Sequence, residues 1–208
     1  MTPFVRHEGI VAPLLRDNVD TDQIIPSREM KTVSKTGLGE GLFASWRYTD
    51  EKTRTPNPEF ILNRPGFEKA TILLAGRNFG CGSSREHAVW ALSGYGIRAI
   101  IAASFGSIFH TNCVRNGILP ITLDMEAIQD IADIATKKPV KMTIDLQQQC
   151  LLWEASGEPI KFQIDPSDRE MLVKGLDPIG LTMQHRQQIL DFMDQQKTLR
   201  PWLFPETD

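Results

Sequence analysis

From Gly76 to Ala88 the chain reads Gly-Arg-Asn-Phe-Gly-Cys-Gly-Ser-Ser-Arg-Glu-His-Ala, and no other stretch restricts its folding so tightly. A short β-rich apolar run, Thr71 to Ala75, precedes it, and a helix-length segment, Arg85 to Gly94, follows. Gly76, Gly80 and Gly82 permit a tight turn with close backbone approach. Ser83 or Ser84 falls where a helix N-cap is expected, with unpaired backbone N–H groups just beyond. This is an anion-binding arrangement: a helix N-terminus is worth about 0.3–1 kcal/mol to a nearby anion. Arg85 adds a planar fork that takes a carboxylate in two parallel bonds.

Other glycine-loop chemistries fail on particular residues. A phosphate-binding Walker loop needs Gly-Lys-Ser/Thr, but Gly82 is followed directly by Ser83; a dinucleotide loop needs a third glycine where Arg85 stands. A hydrolase elbow needs glycines two residues either side of its serine, which neither Ser83 nor Ser84 has.

Around this loop the chain divides into three stretches. The first, through about Ala70, reads mostly as connection: a turn-rich segment Arg16 to Asp22, a loop with Gly37, Gly39 and Gly41, and a Pro-studded polar run from Asp50 to Pro65. The middle alternates apolar runs with helix-length segments: Thr71–Ala75 then Arg85–Gly94, Ala99–Phe105 then a turn, Ile118–Leu123 then Met125–Thr136. That alternation predicts an α/β core. Beyond Pro139 the period becomes two, with Met142, Ile144 and Leu146 on one face; Ile160, Phe162 and Ile164 repeat it after the Gly157–Pro159 turn, as an antiparallel pair would. Asp165 to Asp168 opens a helix, and a last helix is expected over about Thr182 to Gln196.

With 208 residues, 41% of them hydrophobic, the chain can bury roughly 70% of its unfolded surface and needs no disulfide or structural metal. Cys81, Cys113 and Cys150 are odd in number and widely spaced, without a CxxC pair, so neither a disulfide framework nor a zinc site is predicted and a reduced cytoplasmic setting is expected. The N-terminal segment has charges and prolines where a signal peptide needs an apolar run, and no stretch reaches transmembrane length, so no membrane association is expected. A net charge of -3 with scattered Lys and Arg argues against nucleic acid as a partner.

The hexapeptide Gly82-Ser83-Ser84-Arg85-Glu86-His87 resembles the active-site motif of the swivelling domain in aconitase and the isopropylmalate dehydratases. Two further segments resemble that family's signatures: Asp17-Asn18-Val19-Asp20-Thr21-Asp22-Gln23-Ile24-Ile25-Pro26, and Phe105-Gly106-Ser107-Ile108-Phe109 continuing through Asn112 to Ile121. Length and the Trp202–Pro205 tail look like the small subunits of the split-chain branch, so the resemblance spans nearly the whole sequence.

The resemblance implies a single swivelling β/β/α domain over residues 1–208, mixed sheets with outer helices, extended by a helical tail from about 182 to 208. It implies a hydro-lyase acting on a small dicarboxylic acid. By the same resemblance Ser83 is expected to be the catalytic base, as an alkoxide, and Ser84 and Arg85 to grip substrate carboxylates. For an isolated Ser-Ser-Arg an ordinary N-cap is the simpler reading; the three ordered signatures reverse that preference. The chemistry also requires a [4Fe–4S] cluster, and these cysteines make a poor ligand set. The chain itself is therefore expected to bind no cofactor, with the cluster carried by a large-subunit partner in a heterodimer or higher hetero-oligomer. Substrate choice in the family is attributed to an early loop, here within Lys31 to Gly41, so Lys31, Thr36, Gly37 and Leu38 are the specificity candidates, with Leu38 set to meet an alkyl group. Citraconate or homoaconitate relatives, or a non-catalytic small-acid-binding assembly module, remain alternatives. His87 and His110 read as structural, and Asp20 and Asp22 as capping groups.

Overall fold

The computed structural model describes residues 1–30, 34–50, 52–153 and 157–204. A seven-stranded mixed sheet organises the chain, in the order β6-β5-β4-β1-β7-β8-β9. Its parallel half comprises β1 (Arg6–Leu14), β4 (Ala70–Ala75), β5 (Ala99–Ala102) and β6 (Leu119–Thr122). Its antiparallel half runs outward from the other edge of β1 through β7 (Val140–Asp145), β8 (Cys150–Trp153) and β9 (Ile160–Lys161). A separate ribbon pairs β2 (Tyr48–Asp50) with β3 (Thr55–Pro56).

Helices cover both faces of the sheet. Alternate residues of β4 supply the two cores, Leu73 and Ala75 facing one and Ile72 and Leu74 the other, as a strand's period of two requires. On the first face lie α1 (Thr21–Ile24), α2 (Ala44–Arg47) and α3 (Glu86–Tyr95), with Phe109 and Cys113 of α4 (Ser107–Arg115). On the second lie α5 (Met125–Ala135), whose Ile128, Ile131 and Ala132 form its buried stripe, and α6 (Pro166–Lys174), anchored by Leu172. The described residues close with α7 (Pro178–Met183), α8 (Arg186–Leu199) and a 3-10 turn at Pro201–Leu203. None of these three has a buried residue.

The α/β class with outer helices is the one expected from the sequence, and three local expectations are corrected. The opening stretch contains the central strand: β1 pairs with both β4 and β7, and its charged first half and Pro13 hide a strand that Val11 and Ala12 bury on opposite faces. The turn expected after Phe105 closes at once into α4. The antiparallel partner of β7 is β8, whose Cys-Leu-Leu-Trp run lacks alternation, and the Ile160 segment pairs with β8 instead.

Candidate active site

The loop from Gly76 to Arg85 leaves the C-terminal end of β4 and is held between two neighbours by main-chain bonds. From one side come Asn18 N–H to the Arg77 carbonyl (2.8 Å), Gly80 N–H to Val19 (2.7 Å) and Thr21 N–H to Cys81 (3.1 Å). From the other, Ala103 N–H donates to Gly76 (3.2 Å), Phe79 N–H to Ser104 (3.0 Å) and Gly106 N–H to Phe79 (2.9 Å). The Thr21 hydroxyl also donates to the Ser83 carbonyl at 3.1 Å. The three segments singled out in the sequence are thus laid side by side, 76–85 in the middle. Gly80 makes this approach possible: its φ is +73°, and a Cβ there would lie 2.1 Å from the Phe109 ring.

A cleft of about 230 Å³ opens between these segments. Ser83, Ser84 and Arg85 line it with Thr21, Ser107 and Asn112. Both expected serine positions are exposed, and neither hydroxyl makes a hydrogen bond to a described residue. The N-cap of α3 is Arg85, in extended conformation, and no side chain caps the helix, so the expectation that Ser83 or Ser84 fills that position is corrected. The glycine turn at Gly82, with φ +86°, ends the tight path before the serines, and helical geometry starts only at Glu86. The hydroxyls that would have capped the helix are left to the cleft's own chemistry. The N-terminus of α4, whose N-cap is Gly106, likewise carries no side-chain cap and lines the same cleft. Two positive helix ends and one guanidinium therefore converge on a space with free hydroxyls, which suits a small polycarboxylate.

Arg85 donates through Nη1 to the Asp22 carboxylate. Asp22 is therefore more than a capping group, whereas Asp20 does cap α1 in a reciprocal capping box with Gln23, its carboxylate accepting from Gln23 N–H at 2.7 Å. Behind the cleft, Asn116 joins α4 to α3 by donating to Glu86 (2.9 Å) and accepting from the Trp90 indole (3.1 Å). Sequence reasoning gave no role to Thr21, Ser107, Asn112 or Asn116, although their membership of the first and third segments was the signal that pointed here.

Other singled-out residues lie apart. The His87 ring packs against Trp90 at 4.7 Å between centroids, and His110, on α4, stands 4.0 Å from Asp168; neither lines the cleft. Leu38 is 4% exposed and packed into the core on the α3 side, so it offers no surface to an alkyl group. Thr36 and Gly37 are exposed but do not line the cleft, and Lys31 lies outside the described residues. Cys81 lines the cleft, while Cys113 is fully buried, which raises its thiol well above the ordinary range. Among the described residues no three His, Cys, Asp or Glu side chains gather as a metal site.

Comparison with known proteins gives a consistent set of likenesses. The Aconitase C-terminal domain family model matches residues 1–126, and the model for the C-terminal domain of the 3-isopropylmalate dehydratase small subunit matches residues 179–206. The 3-isopropylmalate dehydratase small subunit of Cupriavidus necator is 53% identical over 205 residues, covering 98% of each chain. Its counterpart in Rhodopseudomonas palustris is 47% identical over 97% of this chain and the whole of the other. Among solved structures, the 3-isopropylmalate dehydratase of Methanocaldococcus jannaschii superposes with a TM-score of 0.66 at 29% identity, covering 90% of this chain and 99% of that one.

Proposed function

Because this chain belongs to the 3-isopropylmalate dehydratase small-subunit family, we propose that its serine–arginine cleft is one wall of that hydro-lyase's active site, with Ser83 as the proton-transfer base. The family's reaction, in leucine biosynthesis, removes water from 2-isopropylmalate to give 2-isopropylmaleate and returns it with hydrogen and hydroxyl exchanged. The observation that carries the proposal is the union of two free serine hydroxyls, an arginine and two uncapped helix N-termini around one small cleft.

The roles follow from what each group can do. In the dehydration direction Ser83 Oγ, as alkoxide, accepts the carbon-bound proton, the C–H electron pair becomes the double bond, and the hydroxyl leaves from the adjacent carbon. In rehydration hydroxide adds to the carbon that lost the proton, and the serine returns the proton to the carbon that lost the hydroxyl. A serine hydroxyl is a very weak acid, so the site must favour its anion; preorganised donors supply about 2.7–4 kcal/mol each in measured oxyanion sites. The α3 N-terminus and Arg85 are the donors nearest to hand in sequence and lining. Arg85 takes one substrate carboxylate in its fork and Ser84 donates to a carboxylate through its hydroxyl.

Departure of hydroxide needs Lewis-acid help, which a [4Fe–4S] cluster supplies when bound. The cysteines of this chain do not fit as its ligands: Cys113 and Cys150 are buried in the fold and only Cys81 reaches the cleft. We place the cluster in the large-subunit partner. Support comes from the cleft itself, which at about 230 Å³ falls short of the roughly 300–1,000 Å³ of complete small-molecule sites. A second wall would enclose substrate between the iron of one chain and the base of the other, in a heterodimer or a higher hetero-oligomer.

The test is anaerobic reconstitution with the cluster-bearing large subunit from the same organism, following the unsaturated intermediate by its absorbance. Turnover of 2-isopropylmalate by the mixture, and by neither chain alone, is the expected result. An assembled, cluster-loaded mixture that acts on citraconate or homoaconitate relatives but not on isopropylmalate overturns the substrate assignment.

A further inference from the structure

The helical tail exposes more apolar surface than an unpartnered chain has use for. Ile179 is 72% exposed, Phe192 60% and Trp202 72%, and Met183, Leu199 and Leu203 are each more than half exposed. Helix α8 runs for 14 residues without one buried side chain. Its apolar residues include Ile189, Phe192, Met193 and Leu199, which recur at the spacing of an amphipathic helix. The exposed apolar side chains recur along the whole tail, from α7 through α8 to the 3-10 turn, as they do where a surface is used for interaction.

We infer that the tail, from Ile179 to Leu203, is a docking arm for the large subunit of the hydro-lyase, separate from the cleft. The inference rests on the family reading above and adds to it where the two chains hold each other. The occupant is indicated by where the apolar surface falls. The aconitase-type domain match ends at residue 126, whereas residues 179–206 match a model specific to small subunits, so the arm belongs to the free-standing chain rather than to the shared catalytic domain. A domain tethered in one polypeptide meets its neighbour at millimolar effective concentration; a separate chain loses that advantage and must recover it as interface. The cleft is too small and polar to provide it. The arm's charges, Arg186, Asp191, Asp194, Lys197 and Arg200, are mixed in sign and give no strong field, so recognition falls to the apolar side chains. The arm is continuous with the catalytic wall: α6 packs beside α4, whose N-terminus lines the cleft, and Lys174 at the end of α6 donates to Gln184 in the connection between α7 and α8.

The experiment compares the wild-type chain with the Phe192→Gln/Trp202→Gln pair, titrating the cluster-bearing large subunit anaerobically and reading assembly and turnover together. The concentration of large subunit for half-maximal assembly is expected to rise at least 100-fold, with kcat at saturation unchanged and the melting temperature of the free small subunit unchanged. Ile179→Gln/Met183→Gln is a second, independent pair, and hydrogen exchange across residues 186–203 should slow on assembly in the wild type. Unchanged assembly by both pairs, with no slowing of exchange, overturns the inference. Unchanged assembly with loss of small-subunit self-association assigns the arm to a second copy of this chain and overturns it equally. If wild-type chains assemble through the arm yet do not turn over isopropylmalate, the substrate reading fails while the docking arm stands.

Discussion

Arg85 donates from Nη1 to the Asp22 carboxylate, and this bond leaves the Nε–Nη2 edge of the guanidinium without a partner among the described residues. A substrate carboxylate needs that side-on edge for two parallel bonds. Asp22 thus holds the fork by one nitrogen and leaves its other edge open to the cleft's ligand.

Asp22→Asn is therefore expected to raise KM for isopropylmalate about five- to ten-fold, the scale of one partly exposed ion pair of about 1 kcal/mol, with kcat less affected. Arg85→Lys, which loses the fork, should raise KM further. Steady-state kinetics on the reconstituted complex, carried round the double-mutant cycle, check the pair. Strictly additive effects would mean that Asp22 does not act through Arg85.

Ser83→Ala removes the proposed base but leaves the cleft's shape nearly unchanged. Turnover of the reconstituted complex should fall by about 10²–10⁴, the usual span for losing a positioned acid–base group, while assembly with the large subunit is retained. Single-turnover measurements with assembly monitored in parallel decide it; a rate within a factor of two of wild type removes Ser83 from the chemistry.

Gly80→Ala should be among the most damaging single-methyl additions in the chain. The new Cβ meets the Phe109 ring at 2.1 Å and sits at φ +73°, so both packing and backbone are strained. Roughly 2–4 kcal/mol of destabilisation is expected, read as a shift in denaturation midpoint.

His7 makes stability depend on pH. Burial, with the Arg98 cation secondary, lowers its pKa below the ordinary 6.5, and its Nε2 lies 2.7 Å from the Thr71 hydroxyl. The unfolded chain therefore binds this proton more readily than the folded one, so the contribution is intact above pH 6.5 and is lost as pH falls through the folded-state value. The melting temperature should drop on acidification from pH 7 to pH 5, and His7→Gln should flatten that dependence; an unchanged slope in the variant assigns it to other groups.

Strands β4 and β5 of the parallel half were readable because they are buried on both faces and stand as unbroken apolar runs, Ile72 to Ala75 and Ala99 to Ala102. β1 was missed because its only continuous apolar stretch is Ile10 to Ala12, with Gly9 and Pro13 beside it, and its strand character comes from two neighbours far along the chain. At the site, the Gly82–His87 letters pointed to serine and arginine chemistry, but the Asp22–Arg85 bond and the Asn116 link are tertiary facts that no local spacing encodes. The burial of Leu38 was not legible because close packing of Gly39 against Gly94, a tertiary contact, draws its glycine-rich loop onto α3.

The position of β1 bears on how the protein is made. β1 leaves the ribosome before either of its neighbours and finds its partners only when Ala70–Ala75 and then Val140–Asp145 have followed, Arg6 pairing at last with Asp145. At about 5–20 residues per second, the chain's future centre waits roughly three to twelve seconds with both edges open, and roughly seven to twenty-six before the second edge is covered. Nascent-chain handling during that interval, more than the stability of the finished sheet, should therefore govern the yield of soluble protein. A circular permutant that begins before β4 and brings β1 out last would relieve the wait while keeping the strand order of the folded sheet.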